Sequence, residues 1–465
     1  MQKKHECWFI LAMVMTGVFL STMDSGMLNV ALPTIMRSFD LSFEHAEIIV
    51  TFYLLTITVT LVFWGRFADT WGRGAIYLTG MLLFSLGSLA CFFAPSYPAL
   101  LASRFLQALG ASMMMSSGPA LIKMVFPADH LGRSLGLVGI ATACGLLSGP
   151  FISGMILSMF SWRAIFLVSL PVSVTVLLLG RFFILRRLPP AGSRVVFAFD
   201  WLGSCCWVTI VVLGLSLFHS LDRFFSPFNT VTFGLFVVLV IVFIRVEKNA
   251  ANPILPISLL RKRFYWVAVL TAAISFATMF TVLVLVPFYL EYVIRLPVEK
   301  VGAVMMAVPA TLIVLSPLSG WLYDKIGARF LTTAGLGLCC LALLGLATLA
   351  AESSMAEVTV KLALLGAGQS VFLSPNSASV LSQVSEEYAG ITAGILATAR
   401  NFGMVAGATL AAALFSWWFT FYSGGGQLAD YALSDRNAFI LALKTTFLMS
   451  ACLALLGGIL SVRRG

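Results

Sequence analysis

The chain has 465 residues, 60% of them hydrophobic and 10% charged, with a mean hydropathy of +1.00, a balance that no water-soluble domain carries. The net charge of +10 does not make it a nucleic-acid binder, because the positive residues sit in short segments between apolar runs, where they orient a membrane protein. Eight cysteines without a Cys-x-x-Cys pair and four scattered histidines argue against a disulfide framework or a metal centre.

About 20 apolar residues cross a bilayer as a helix. Fourteen such segments can be laid out, at 7–32, 44–64, 75–93, 97–125, 134–159, 162–184, 200–220, 227–246, 264–292, 300–322, 329–350, 358–383, 390–417 and 437–461. The first starts behind Lys3 and Lys4 as a signal peptide would, but it continues to Leu32 without a small-residue cleavage pattern, so a membrane helix is expected. Asp24 lies past its middle, within Met23-Asp-Ser-Gly-Met-Leu-Asn29-Val-Ala-Leu-Pro33. A charge at the bilayer centre costs about 2.5–3.5 kcal/mol on insertion scales, so a retained one points to function. Asp24 reads as a carboxylate that binds a proton and a cationic substrate in turn, or as a structural hydrogen-bond partner of another helix.

After the second segment comes Gly65-Arg-Phe-Ala-Asp69-Thr-Trp-Gly72-Arg73, whose glycines suit a tight turn. The fourth segment carries Arg104-Phe-Leu-Gln107, with both polar residues on one helical face. A guanidinium cannot shed its proton, so Arg104 is expected to pair with a carboxylate or with backbone carbonyls of the first helix or its neighbours. Met113, Met114 and Met115 follow on the same helix; methionine is adaptable and suits an apolar cavity. The fifth segment spaces Gly136, Gly145, Gly149-Pro150 and Ser153-Gly154 as Gly-x8-Gly-x3-Gly-Pro-x2-Ser-Gly. Small residues let another element approach closely, and the Gly-Pro step loosens the backbone ladder. Close packing alone would explain Gly145-x3-Gly149.

Leu188-Pro-Pro-Ala-Gly-Ser-Arg194 reads as a linker. The tenth segment closes in Gly320-Trp-Leu-Tyr-Asp324-Lys-Ile-Gly327-Ala-Arg329, a second Gly-x3-Asp-x2-Gly followed by arginine. Gln369, Ser374 and Asn376 in the twelfth segment are candidates to line a polar cavity, as is Asn401 in the thirteenth. Arg400 beside Asn401 is a further charge within the membrane, open to structural pairing or to substrate contact.

With the N-terminus inside, 19 lysines and arginines fall in inner segments and eight in outer ones, which supports fourteen helices with both ends cytoplasmic. The loop between the twelfth and thirteenth segments breaks the pattern, carrying Glu386 and Glu387 and no basic residue. The repeated Gly-x3-Asp-x2-Gly makes segments 1–6 and 9–14 two copies of one unit. Residues 1–188 then form an N-terminal six-helix bundle, 189–263 a linker and two inserted helices, and 264–465 a C-terminal six-helix bundle. Parallel repeats around a central cavity are a transporter architecture.

The spacing of the fifth segment closely resembles the helix-5 signature of proton-coupled drug exporters in the major facilitator superfamily. The Asn29-Val-Ala-Leu-Pro33 run behind Asp24, Trp162-Arg163-Ala-Ile-Phe166, Phe199-Asp200-Trp-Leu-Gly203 and Asn252-Pro253-Ile-Leu-Pro256 resemble the fourteen-helix drug:proton antiporters, from the first helix to the last. The resemblance implies an all-α integral membrane protein of the major facilitator fold, with two six-helix bundles and a central two-helix insertion. It implies multidrug efflux at the cell inner membrane: lipophilic, often cationic compounds leave as protons enter. Such a protein is not an enzyme and needs no cofactor. Its partners are small molecules, protons and the lipid bilayer, with room for a periplasmic adaptor and an outer-membrane channel. Asp24, Arg104 and Gln107 take coupling roles by resemblance. Gly65, Asp69, Gly72, Arg73 and Asp324 take gating roles, as do Gly136, Gly145, Gly149, Pro150 and Gly154, which would form a contact between the two halves. Met114, Met115, Gln369, Asn376, Arg400 and Asn401 are the cavity candidates. The runner-up is export of one metabolite, such as an amino acid, a siderophore or a lipid.

Two departures stand out. Thr70 and Gly74 occupy positions that the family usually fills with basic residues, and no carboxylate lies between Glu299 and Asp324, which counts against dications. No Gly-x4-Gly-Lys-Ser/Thr loop is present, so an ion gradient is the expected energy source.

Overall fold

Lipid offers no partner to a backbone amide, so a chain this apolar crosses a bilayer as helices or as a closed barrel. Among the described residues of the computed structural model every regular element is helical. These residues are 2–41, 43–187, 200–219, 227–249, 259, 261–425 and 435–464. The linker 188–194, Phe199 and the run from Asn252 to Pro256 lie outside them, as do the side chains of Asn29, Pro33 and Pro150.

In chain order the helices are α1 (Gln2–Phe39), α2 (Phe43–Trp71), α3 (Arg73–Phe92), α4 (Tyr97–Val125), α5 (Leu131–Met159), α6 (Ser169–Arg187), α7 (Trp201–His219) and α8 (Pro227–Asn249). There follow α9 (Arg263–Phe288), α10 (Val298–Met305), α11 (Ala307–Ile326), α12 (Ala328–Leu346), α13 (Met355–Gln383), α14 (Ala389–Tyr422) and α15 (Arg436–Val462). Among the described residues, 11 helices are long and apolar enough to cross a membrane, so the chain is a multi-pass membrane protein.

The repeated motif is a repeat of geometry as well as of letters. α2 runs on to Trp71, past the expected boundary at residue 64, and puts Asp69 on its last turn rather than in a loop. Gly72 alone separates α2 from α3, at φ 101° and ψ 120°. Gly327 likewise separates α11 from α12, at φ 79° and ψ −179°. L side chains avoid both conformations, so each copy of the motif needs its second glycine to reverse the chain in one residue.

Contacts divide the chain into two units. The first comprises Met1–Val208, Phe243–Ile257 and Ser377–Thr398; the second comprises Thr209–Val242, Ser258–Asn376 and Ala399–Gly465. The division does not follow chain order: residues 377–398, including the first turns of α14, belong by contact to the first unit. Within that unit α3 packs on α4 and α6, α1 on α5, and α2 on α4. Leu28, Ile35, Ile49, Leu100, Trp162 and Phe166 form an apolar floor there. Within the second unit α15 packs on α9 and α12, with Ala272, Leu336 and Phe372 in its core.

Candidate functional site

Within the first unit Asp24 on α1 meets Arg104 and Gln107 on α4. All three are buried, Arg104 and Gln107 completely. Arg104 Nη1 donates to Asp24 Oδ2 and to Gln107 Oε1, each at 2.5 Å. Gln107 Nε2 donates to the other carboxylate oxygen, Oδ1, at 2.9 Å, and to Ser88 Oγ on α3 at 2.8 Å. Ser169 at the start of α6 donates to Ser88 at 3.3 Å. The guanidinium carbon lies 4.0 Å from the ring centre of Tyr53, whose hydroxyl is 3.4 Å from Ser21 Oγ, one turn from Asp24. Ser88, Ser169 and Tyr53 therefore belong to this network and were not singled out in the sequence. Ser21, Ser25 and Asp24 clustered on α1 were the only signal there. Arg104 Nε and Nη2 have no acceptor among the described residues. Placing the two charges together removes much of the cost of burying either. Protonating Asp24 would remove one of them and leave Arg104 uncompensated.

The glycines of α5 serve this site directly. A Cβ at Gly145 would lie 2.0 Å from Thr22 Oγ1 and 2.7 Å from the Phe19 carbonyl; one at Gly149 would lie 2.8 Å from the Met23 carbonyl and 2.9 Å from Gly26 Cα. Ser153 Oγ donates to the Met27 carbonyl at 2.8 Å. In this structure Gly145 and Gly149 press α5 onto α1 within the first unit, on both sides of Asp24. Gly136 is buried in α5. Gly154 is exposed, and a Cβ there would meet nothing within 4 Å, so packing does not require it.

The motif around Asp69 holds a distant segment. Asp69 accepts from Arg73 Nε at 3.1 Å and Nη2 at 3.0 Å. It also accepts the backbone amides of Gly390 at 2.9 Å and Ile391 at 3.0 Å. These are the orphan donors of the first turn of α14, where an anion is favoured. Arg73 Nη2 also donates to the Glu386 carbonyl, and Lys123 Nζ to the Val384 carbonyl. Arg66 lies 5.9 Å from the Tyr388 ring centre. The loop that broke the charge pattern thus borrows its cations from elsewhere in the first unit. A Cβ at Gly65 would lie 2.5 Å from the Gly390 carbonyl, and one at Gly394 2.6 Å from that of Leu61. Lys123, Gly390 and Gly394 were missed in the sequence, although Gly390-x3-Gly394 is legible there as a close-packing pair. Asp324, in the second copy of the motif, is half-buried near the end of α11.

Several cavity candidates are engaged by other residues of the protein. Met114 is completely buried, its sulfur 3.2 Å from where a Gly17 Cβ would stand, and Met113 packs with Ala68 and Ile76. Met115 is half-buried, with Ser21 Oγ 3.9 Å from its sulfur. Gln369 is closed off by Ser275: it accepts from Ser275 Oγ at 2.5 Å and donates to the Ser275 carbonyl at 2.8 Å. Asn376 donates to the Ala268 carbonyl at 3.1 Å and accepts from Arg464 Nη1 at 2.6 Å. Burial pulls that C-terminal guanidinium down to about 10, which leaves it charged near neutral pH. Asn401 is half-buried. Arg400 is half-buried on α14, and among the described residues it makes no hydrogen bond or ion pair.

A family model described as Major Facilitator Superfamily matches residues 14–408. The chain is 29% identical over 456 residues to the riboflavin transporter RibZ of Clostridioides difficile (strain 630), covering 98% of this chain and 97% of that protein. It is 31% identical over 418 residues to multidrug resistance protein Stp of Mycobacterium tuberculosis (strain CDC 1551 / Oshkosh), covering 88% and 76%. Among solved structures, the human organic anion transporter MFSD10 (TETRAN) superposes with a TM-score of 0.66 at 15% identity, covering 98% of this chain and 99% of that one. The proton:xylose symporter XylE does so at 0.63 and 16%, covering 98% and 95%. At such identities the structural likeness is one of fold alone.

Proposed function

The chain belongs to the Major Facilitator Superfamily, and from that premise we propose that it exports lipophilic organic compounds, cationic ones among them, across the cytoplasmic membrane in exchange for protons. The observation that carries the reading is the buried Asp24 carboxylate, held by Arg104 and Gln107 and clasped by the glycines of α5. A carboxylate at this depth is costly unless used, and its protonation unbalances a charge pair whose network joins α1, α2, α3, α4 and α6. In this reading the chain makes fourteen membrane crossings, six on each side of a two-helix insertion, with both termini in the cytoplasm. The likeness to a multidrug resistance protein over 88% of the chain agrees with it.

Ethidium movement in proteoliposomes under an imposed pH gradient tests the proposal. Wild type is expected to move the dye, and Asp24→Asn to abolish that flux while still folding. Gradient-driven flux that survives the substitution would refute coupling through Asp24.

A relative that matches 98% of the chain is a riboflavin transporter, and it favours a second reading, transport of one metabolite, which a single-metabolite exporter would fit. Riboflavin flux without ethidium flux in the same vesicles would establish that reading in place of the first.

A further inference from the structure

Arg400 is the twelfth residue of α14, about 16 Å from its start along the helix axis and inside the apolar span Glu386–Tyr422. Its position on that helix is set by glycines. Gly403 and Gly407 share its face, three and seven residues on. A Cβ at either would stand 2.2 Å from a backbone carbonyl of α9, that of Ala273 or Ala277 respectively. This seam pins α14 to α9 and fixes Arg400 at its edge, where the side chain remains half-buried.

Among the described residues of the second unit no group is in place to neutralise it. α9, α12 and α14 contain no aspartate or glutamate; in α11 and α13 the carboxylates are Asp324 in the last turn and Glu357 in the first. Among the described residues Arg400 has neither a hydrogen bond nor an ion pair, and no charged group acts on it. Asp24 and Arg104, by contrast, cancel one another. A guanidinium stays protonated, and its planar fork matches carboxylate and phosphate oxygens two at a time. We propose that Arg400 is the anchor for an anionic group of the transported molecule, so that the substrates include lipophilic compounds bearing a carboxylate or a phosphate. The inference rests on the export reading and extends its substrates beyond cations.

Binding of 5-carboxyfluorescein and of ethidium to the purified full-length protein, followed by fluorescence anisotropy, tests the anchor apart from transport. Wild type is expected to bind carboxyfluorescein, and Arg400→Gln to bind it about 10- to 100-fold more weakly, the range of a lost charge-assisted hydrogen bond. The same substitution is expected to strengthen ethidium binding, since it removes a like charge. Arg400→Lys, which keeps the charge but not the fork, should fall between them. Carboxyfluorescein that fails to bind wild type, or binds both variants as well as wild type, overturns the proposal. So does an equal loss of both dyes, which would mark Arg400 as a folding residue. pH-driven flux of the two dyes in proteoliposomes reads the other question: no flux of either would sink export and leave the binding result to decide Arg400.

Discussion

Arg104 is completely enclosed, and Asp24 is the carboxylate that answers its charge. Removing one partner of a buried pair costs about 3–5 kcal/mol, because the other charge is left behind, whereas removing both can be nearly neutral. Asp24→Asn is therefore expected to lower the thermal unfolding temperature of the purified protein. Adding Arg104→Gln should restore most of that loss without restoring proton-driven flux. A double variant as unstable as the single one would show that the pair does not carry the stability of this core. The sequence reached the point of requiring a partner for Arg104 and stopped, with carboxylate and carbonyls both open. The two residues are 80 apart in the chain, and only the packing of α1 on α4 selects between the candidates.

At the scale of elements, glycine spacing sets how near two helix axes come. Gly145 and Gly149 let the backbone of α5 touch that of α1, and Gly403 and Gly407 do the same for α14 on α9. Gly149→Ala would force its new methyl against the Met23 carbonyl and Gly26, backbone atoms that cannot swing aside. It is expected to cost about 1–3 kcal/mol, the usual range for overpacking, and to weaken coupled flux by displacing Asp24. Gly154→Ala meets open space and should stay within about 0.5 kcal/mol of wild type. Thermal unfolding of the two variants side by side checks both, and equal losses would contradict the packing described. The Gly-rich face was legible from its spacing; which helix it would touch was not. The structure shows Gly145 and Gly149 packed on α1 of their own unit.

For the molecule as a whole, a contact of long reach is the one between Asp69 and the amides of Gly390 and Ile391, residues more than 300 positions away. Because the acceptor is a carboxylate at a helix N-terminus, each bond is charge-assisted and stronger than an ordinary amide pair. Asp69→Ala is expected to speed amide hydrogen exchange at residues 389–392 by at least about tenfold, with little change in peptides of α12 or α15. Exchange that does not change there would show that this carboxylate does not hold the start of α14. The same cluster brings cations to a loop that carries none: Arg73 and Lys123 donate to its backbone carbonyls and Arg66 lies against its Tyr388 ring.

By itself the sequence determined that the chain crosses a membrane many times as helices, since hydropathy and the want of hydrogen-bond partners in lipid leave little else. It marked a tight turn at each copy of the repeated motif; that Gly72 or Gly327 alone makes the reversal is seen in the structure. It also exposed the costly charges Asp24, Arg104 and Arg400, because a charge in an apolar run is visible without any fold. Only the tertiary structure decided which of these are satisfied. Asp24 closes on Arg104, Gln369 closes on Ser275, Asn376 closes on Arg464, and Arg400 is left with none of them. Helical periodicity fixes which face of a helix a residue occupies. The partner on that face comes from another helix, and its identity depends on how closely the small residues between them let the two axes approach.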